Sequence, residues 1–186
     1  MGTLKKDFKF KLIKNFLTEG ERILLKNYTN MFHLHNIVDF DFVSGVYGNI
    51  NSDTAKYSDY VMESLMLSKT GRVEKESNLK LIPTYSYWRA YTHNAELKKH
   101  KDRPSCEVSI SCQIDCDGTK WPIKVDGTDV HMENGDAILY LGIELEHSRA
   151  PFTGDYHIQT FLHYVDKEGP HTEHAIDKRP IYGVKK

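Results

Sequence analysis

Two hydrophobic periods divide this sequence. Up to about residue 78, apolar side chains recur mostly three or four positions apart, as on one face of a helix. From residue 79 they mostly alternate, as in strands. Residues 9–16 read as a short mixed strand. Thr18-Glu-Gly-Glu21 has the form of a capping box, which opens a helix by satisfying two orphan backbone donors reciprocally. The helix so predicted carries Ile23, Leu24, Tyr28 and Met31 as its stripe and ends near residues 32–35. Residues 39–48 are irregular and aromatic. A second helix is expected from a cap at Asp53 or Ser58 to about Lys69, burying Tyr60, Val61, Leu65 and Met66. Thr70-Gly71 is its expected stop, and residues 73–78 a polar connection.

Residues 81–91, rich in Tyr, Ile and Trp, predict a strand. Pro83 lacks a ladder donor and so belongs at an edge or a strand start. Further strands are predicted at 107–114, 121–125, 136–141 and 157–165, with turns at Asp117-Gly118 and Asp126-Gly127. Residues 171–186 read as an exposed tail. Two helices followed by many short strands give an α+β class, with helices against one side of a sheet sandwich or barrel.

Composition narrows the function classes. The 186 residues are 39% hydrophobic and 27% charged, a globular rather than a disordered balance. The net charge is −1 and the Lys and Arg residues are dispersed, so nucleic acid is not an expected partner. No apolar run approaches the roughly 18 residues of a membrane span, and the first residues have no signal-peptide core. No membrane partner is expected, and a cytoplasmic location is. Cys106, Cys112 and Cys116 are odd in number, which favours free thiols in a reducing compartment.

The candidate chemistry lies in His100-Lys-Asp102. On a strand, residues two apart face the same way, so an imidazole and a carboxylate are presented together. A second imidazole from a distant strand completes a two-histidine, one-carboxylate triad, which suits Fe(II) and leaves open positions. His147, just after the apolar strand 137–141, is the best candidate. His33 and His35 read as helix-end surface residues, Glu146 as a surface residue, and His171-x-x-His174 as a site of adventitious metal binding only. His163 reads as a core or pocket-lining imidazole, and Trp121 as a packing anchor.

Several motifs together point further. Arg89-x-Tyr91-x-x-Asn94-x-x-Leu97-x-x-His100-x-Asp102 resembles the first metal-ligand strand of 2-oxoglutarate/Fe(II) oxygenases of the prolyl-4-hydroxylase type. The family usually has Gly where Asn94 stands, and Asn tolerates the same left-handed turn. Asn134-Gly-Asp-Ala-Ile-Leu-Tyr140 resembles the turn and strand before the second histidine. Glu146-His-Ser-Arg149 and Gln159-Thr-Phe-Leu-His-Tyr-Val-Asp166 resemble the end of the core. The similarity covers about residues 81–166. It implies a double-stranded β-helix, or jelly roll, with N-terminal helices packed on one sheet. Residues 1–186 would form one such domain, with a helical part at about 1–78, a core at 79–166 and a tail at 167–186.

The resemblance implies Fe(II) held by His100, Asp102 and His147, with 2-oxoglutarate and O2 as co-substrates. The reaction expected is hydroxylation of a small molecule or a prolyl-type peptide, with release of succinate and CO2. Asp102 speaks against a halogenase, where a small residue frees that position. One departure stands out. The family's basic residue nine or ten positions after the second histidine is replaced by Tyr156 and His157. Arg149 is then the expected partner of the co-substrate's distal carboxylate, helped by Tyr91, with His157 secondary. The rival readings are a non-catalytic jelly-roll module and a cupin-type metal enzyme that does not use 2-oxoglutarate.

Overall fold

The computed structural model describes residues 9–38 and 52–184. In chain order the strands and helices are β1 (Phe10–Ile13), α1 (Glu19–Val38), β2 (Ser52–Tyr57), α2 (Tyr60–Ser77), β3 (Leu81–Thr92), β4 (Leu97–His100), β5 (Val108–Cys116), β6 (Ile123–Val125), β7 (Thr128–Val130), β8 (Ala137–Tyr140), β9 (His147–Arg149) and β10 (Tyr156–Asp166). Short 3-10 segments lie at Pro104–Cys106 and Thr172–Lys178. The strands form two antiparallel sheets, one of six in the order β1-β8-β5-β10-β3-β2 and one of four in the order β4-β9-β6-β7. This is the expected jelly roll, with α1 and α2 packed on the large sheet. Among the described residues no helix is long and apolar enough to cross a membrane.

The capping box forms as predicted. The Thr18 N–H donates to the Glu21 carboxylate at 2.7 Å, and the Glu21 N–H donates to the Thr18 hydroxyl at 3.3 Å. The buried stripe of α1 differs from the expected one. Leu25 and Thr29 are buried, and Tyr28 and Phe32 meet the Trp88 ring at 6.3 and 5.5 Å, whereas Ile23, Leu24 and Met31 are exposed. Both sets have helical spacing, and contact with Trp88 decides the phase.

Helix α2 is capped by Asp59, not Asp53 or Ser58; its carboxylate accepts from the backbone of Val61 and Met62 at 2.9 and 3.2 Å. The helix also runs through Gly71 to Ser77 and ends at left-handed Asn78. A glycine costs a helix about 1 kcal/mol against alanine. Here buried Val73 and the bonds from Arg72 to the carbonyls of residues 14–16 hold the extra turns. Met62, Leu65, Met66 and Val73 face inward, Tyr60 is exposed and Val61 half-buried.

The N-terminal third is not purely helical, since β1 and β2 form the two edges of the large sheet. Nor do residues 171–184 form an exposed tail. Asp177 and Arg179 are buried; Arg179 pairs with Glu63, and Asp177 holds Arg103 through both oxygens at 2.6 and 2.8 Å. The sequence hid this because its polar residues find their partners on distant elements. Among the described residues, Pro83 sits where β3 pairs only with β10, as its missing donor requires. The aromatic run 39–48 and the side chains of His33, His35 and Asp53 lie outside the described residues.

The large sheet is buried on both faces, and the faces differ in kind. Strand alternation sends Trp88 and Ala90, Ile110 and Cys112, and Ile158, Leu162 and Tyr164 toward the helices. The opposite set, Tyr85, Arg89 and Tyr91, Ser109 and Ser111, and His157, Gln159 and His163, faces the small sheet across the barrel interior. That polar interior face is where the candidate chemistry lies.

Candidate metal centre and anion pocket

The small sheet brings the two histidines together by register. In the β4–β9 pair His100 stands directly opposite His147, and Leu97 opposite Arg149. Residues opposed in an antiparallel pair share a face, so the two imidazoles lie side by side with ring centroids 4.3 Å apart. Asp102 follows just beyond the end of β4 and adds its carboxylate. Its Oδ1 is 3.5 Å from His100 Nε2 and 3.4 Å from His147 Nε2. One ligand atom from each of the three lies within 4.8 Å of the others.

Backbone contacts orient each ligand. His100 Nδ1–H donates to the Lys98 carbonyl at 2.7 Å, and His147 Nδ1–H to the Leu145 carbonyl at 3.1 Å. Both Nε2 lone pairs are thereby left for the centre, the usual tautomer arrangement behind metal-ligating histidines. The Asp102 N–H donates to the Gly142 carbonyl at 2.9 Å. Gly142 is needed there for space. A Cβ on it would come within 2.4 Å of the Cys106 carbonyl and 2.5 Å of Asp102 Oδ2. Burial alone would raise the Asp102 carboxyl, but the adjoining His100 and His147 imidazoles, whose Nε2 atoms donate to it only in their protonated form, hold it well below the usual carboxylate range. It is therefore an anion ready for a cation. The Tyr140 ring packs edge-on against His147 at 4.9 Å.

Beyond the centre lies a second arrangement. Arg149, two residues along β9 from His147, is buried at 3% exposure with its guanidinium 4.6 Å from the Trp121 ring centre. One guanidinium nitrogen, Nη1, donates to the Trp121 carbonyl; the other, Nη2, has no hydrogen-bond partner among the described residues. Burial lowers its pKa to about 10, so it stays charged at neutral pH. Tyr91 is buried beside it and meets Trp121 edge-on at 5.0 Å. His157 pairs with Tyr91 across β10–β3 and packs edge-on against Trp121 at 5.2 Å. Burial and the nearby Arg149 push His157 down to about 3, so it is neutral. A buried cation with a spare donor is costly unless an anion joins it. The side chains around Arg149 thus have the chemistry to bind a carboxylate, and two imidazoles with one carboxylate suit Fe(II) with open positions.

No family model matches the sequence, and no curated protein matches it. Solved structures do match. AviO1 from Streptomyces viridochromogenes gives a TM-score of 0.69 at 16% identity, over 89% of this chain and 93% of that one. A prolyl-4-hydroxylase from Pseudomonas putida gives 0.64 at 14% identity, over 88% and 95%. HygX from Streptomyces hygroscopicus, solved with nickel and 2-oxoglutarate bound, gives 0.62 at 13% identity, over 88% and 84%. The chain has the double-stranded β-helix fold of the 2-oxoglutarate/Fe(II) oxygenases. Within this oxygenase fold Asn94 takes the left-handed conformation expected of it, with φ of 67°.

The remaining residues sort themselves around these two arrangements. His163 lines the interior as expected, with Nδ1 2.9 Å from the Ser109 hydroxyl and its ring 4.5 Å from Tyr85. Glu146 is on the surface, paired with Lys99 at 2.6 Å. His171, Glu173 and His174 do converge within 4.8 Å, on the outer C-terminal segment. Trp121 is more than a packing anchor, since its carbonyl and ring both hold Arg149. Ser109, Gly142 and Gln159 carry no role in the sequence reading. For Ser109 and Gln159 the one signal was polar residues alternating through apolar strands, as in Val108-Ser-Ile-Ser-Cys-Gln.

Proposed function

We propose that this chain is a non-haem Fe(II)- and 2-oxoglutarate-dependent dioxygenase that hydroxylates its substrate. His100, Asp102 and His147 hold the iron, and Arg149 with Tyr91 holds the distal carboxylate of 2-oxoglutarate. When bound, iron, 2-oxoglutarate and O2 supply the oxidising power to break an unactivated C–H bond, with release of succinate and CO2. The protein's own residues set the geometry. The Lys98 and Leu145 carbonyls fix both imidazoles with Nε2 inward, Gly142 leaves room for Asp102, and Trp121 holds the Arg149 fork in place.

The observation that carries this reading is the buried Nη2 of Arg149, without a hydrogen-bond partner among the described residues and on the same strand as His147. A metal-binding jelly roll that did not use 2-oxoglutarate would have no need of a buried guanidinium with a free donor. The reading is tested by anaerobic addition of Fe(II) and 2-oxoglutarate. The visible absorption band of an Fe(II)–2-oxo acid chelate should form with one equivalent of each. Succinate should then be released with O2, and a screen of prolyl peptides and small molecules should find the hydroxylated substrate. Absence of both the band and 2-oxoglutarate-dependent succinate would reject the proposal.

A further inference from the structure

Outside the interior site, a second set of metal-ligating side chains comes together on the C-terminal segment. Along the sequence His171-x-x-His174 offers two imidazoles on a loop and nothing more. The fold adds a third donor. In the turn at Thr172–Lys178 the His174 N–H donates to the His171 carbonyl at 3.0 Å. One ligand atom from each of His171, Glu173 and His174 then lies within 4.8 Å of the others. His174 Nε2 stands 3.2 Å from Glu173 Oε1. Zinc bonds of about 2.0 Å in a tetrahedral site set ligand atoms roughly 3.3 Å apart, so one edge of such a site is already in place. His171 and His174 are half-buried and Glu173 is exposed, which gives a cation access from solvent and leaves a corner for water. Two imidazoles and a carboxylate favour a first-row divalent ion over Mg(II) or Ca(II), and among these they prefer Zn(II) to Fe(II).

The residues that follow tie this cluster to the interior centre. Ile176, Asp177 and Lys178 all have positive φ, of 51°, 52° and 60°. Side-chain-bearing residues in this conformation are costly and persist only where the surroundings over-determine them. Asp177, three residues after His174, is the anchor. Its carboxylate holds Arg103 through both oxygens and accepts from the Tyr57 hydroxyl. Arg103 directly follows Asp102, and its guanidinium lies 4.5 Å from the Tyr85 ring centre. The segment also packs on β3 and on the Pro104–Cys106 turn. It therefore grips the loop that presents Asp102.

We propose that His171, Glu173 and His174 form a second metal site, for Zn(II) or a divalent ion of like chemistry, and that its occupancy steadies the Asp177–Arg103 clamp beside Asp102. A bound cation cross-links the turn that leads into the left-handed run. Local opening of the segment then costs more, and the loop after Asp102 opens less often with it. The proposal does not rest on the 2-oxoglutarate reading, because the donors and the clamp are the same whatever co-substrate the interior takes.

The test uses the full chain with the interior centre disabled by His100→Ala and Asp102→Ala, so that Zn(II) binding reports the C-terminal segment. Calorimetric titration of this parent should show one equivalent of Zn(II) bound. Adding His174→Ala or Glu173→Gln should weaken binding at least about tenfold, since even the partners that merely orient a ligand are worth ten- to 100-fold. Neither side chain is buried, so both variants should stay folded, which circular dichroism checks. Hydrogen exchange gives the second readout. Zn(II) should slow exchange of the Arg179 N–H, which donates to the Ile176 carbonyl, and of the Cys106 and Glu107 N–H groups, which donate to the Arg103 and Pro104 carbonyls. Asp177→Asn should still bind Zn(II) but lose the slowing at Cys106 and Glu107. If the parent binds no Zn(II), or the His174→Ala and Glu173→Gln proteins bind it as tightly as the parent does, the segment holds an adventitious ion only and the proposal fails. It fails equally if Zn(II) binds and exchange at Cys106 and Glu107 does not change.

Discussion

The two faces of the large sheet use the same strands for opposite ends. Toward the helices, Trp88, Ile110, Leu162 and Tyr164 build a close apolar layer with one polar contact of note, the Tyr164 hydroxyl donating to the Met66 carbonyl at 3.0 Å. Toward the barrel interior, Arg89, Ser109, Ser111, His157, Gln159 and His163 are equally buried yet polar or charged. Burial of polar groups opposes folding unless they are bonded. The helix-facing layer therefore supplies stability, and the interior face spends part of it on a site. Among the described residues unpartnered buried atoms occur on both faces, Trp88 Nε1 toward the helices and Arg149 Nη2 and His157 Nδ1 toward the interior, but only on the interior side does one belong to a buried cation.

The comparison predicts a clean separation of effects. The largest is at the centre itself. Asp102→Ala removes the only anionic ligand and should abolish turnover and lower metal affinity by orders of magnitude, with little loss of melting temperature. Metal titration and succinate assays check it, and near-normal activity would remove Asp102 from the centre. On the other face, Trp88→Ala should cost about 3–5 kcal/mol of stability, the usual range for a large core aromatic. The folded fraction should keep its KM for 2-oxoglutarate. Denaturant unfolding with kinetics on the same samples separates the two, and a KM change larger than the stability change would mean the faces are coupled.

Arg149→Met sits between these. It keeps the apolar stem against Trp121 and removes the fork. Losing a charged hydrogen-bond partner costs about 1.5–3 kcal/mol, so the KM for 2-oxoglutarate should rise roughly ten- to 150-fold. The melting temperature should hold or rise, because a buried unpaired cation is itself a cost. A variant that lost stability without a KM change would make Arg149 a structural residue.

How much of this was legible depended on distance along the chain. The capping box at Thr18, the turns and the strand alternation were readable because each is decided within a few residues. His100-x-Asp102 was visible for the same reason, His147 through its place after the apolar strand 137–141 and the motif around it, and Arg149 through its spacing of two from His147 where the family's basic residue is missing. The phase of α1 was not, because Trp88 sets it from 60 residues away. The continuation of α2 through Gly71 was missed because Arg72 finds its carbonyl partners in residues 14–16. The C-terminal segment read as a tail because Arg103 and Glu63, which hold Asp177 and Arg179, cannot be paired with them from sequence. The polar interior face was half legible: its alternation shows in the sequence, but which polar residues touch the pocket follows only from the register of β5, β10 and β3.

The smallest effect expected is an absence, and it separates Arg149 from His157 as the source of charge. Binding of 2-oxoglutarate should vary little between pH 6 and 8. Arg149, lowered by burial to about 10, remains a cation throughout that range. His157, pushed to about 3 by burial and by Arg149, remains neutral throughout it. The same depression has a consequence for stability with a definite sign. In the unfolded chain His157 titrates near the ordinary value of about 6.5. Below that pH the unfolded state binds a proton that the folded state does not take up until about pH 3. His157 thus contributes stability above about pH 6.5 that is lost as the pH falls toward 3. His163, held at about 4 by burial, acts in the same direction. Melting temperature should therefore decline between pH 7 and 4, less so in His157→Phe, while 2-oxoglutarate affinity from pH 8 down to 6 stays level. If affinity instead collapses as the pH rises from 6 to 8 and His157→Phe removes that dependence, the histidine carries the charge, and the division of labour between the two residues is reversed.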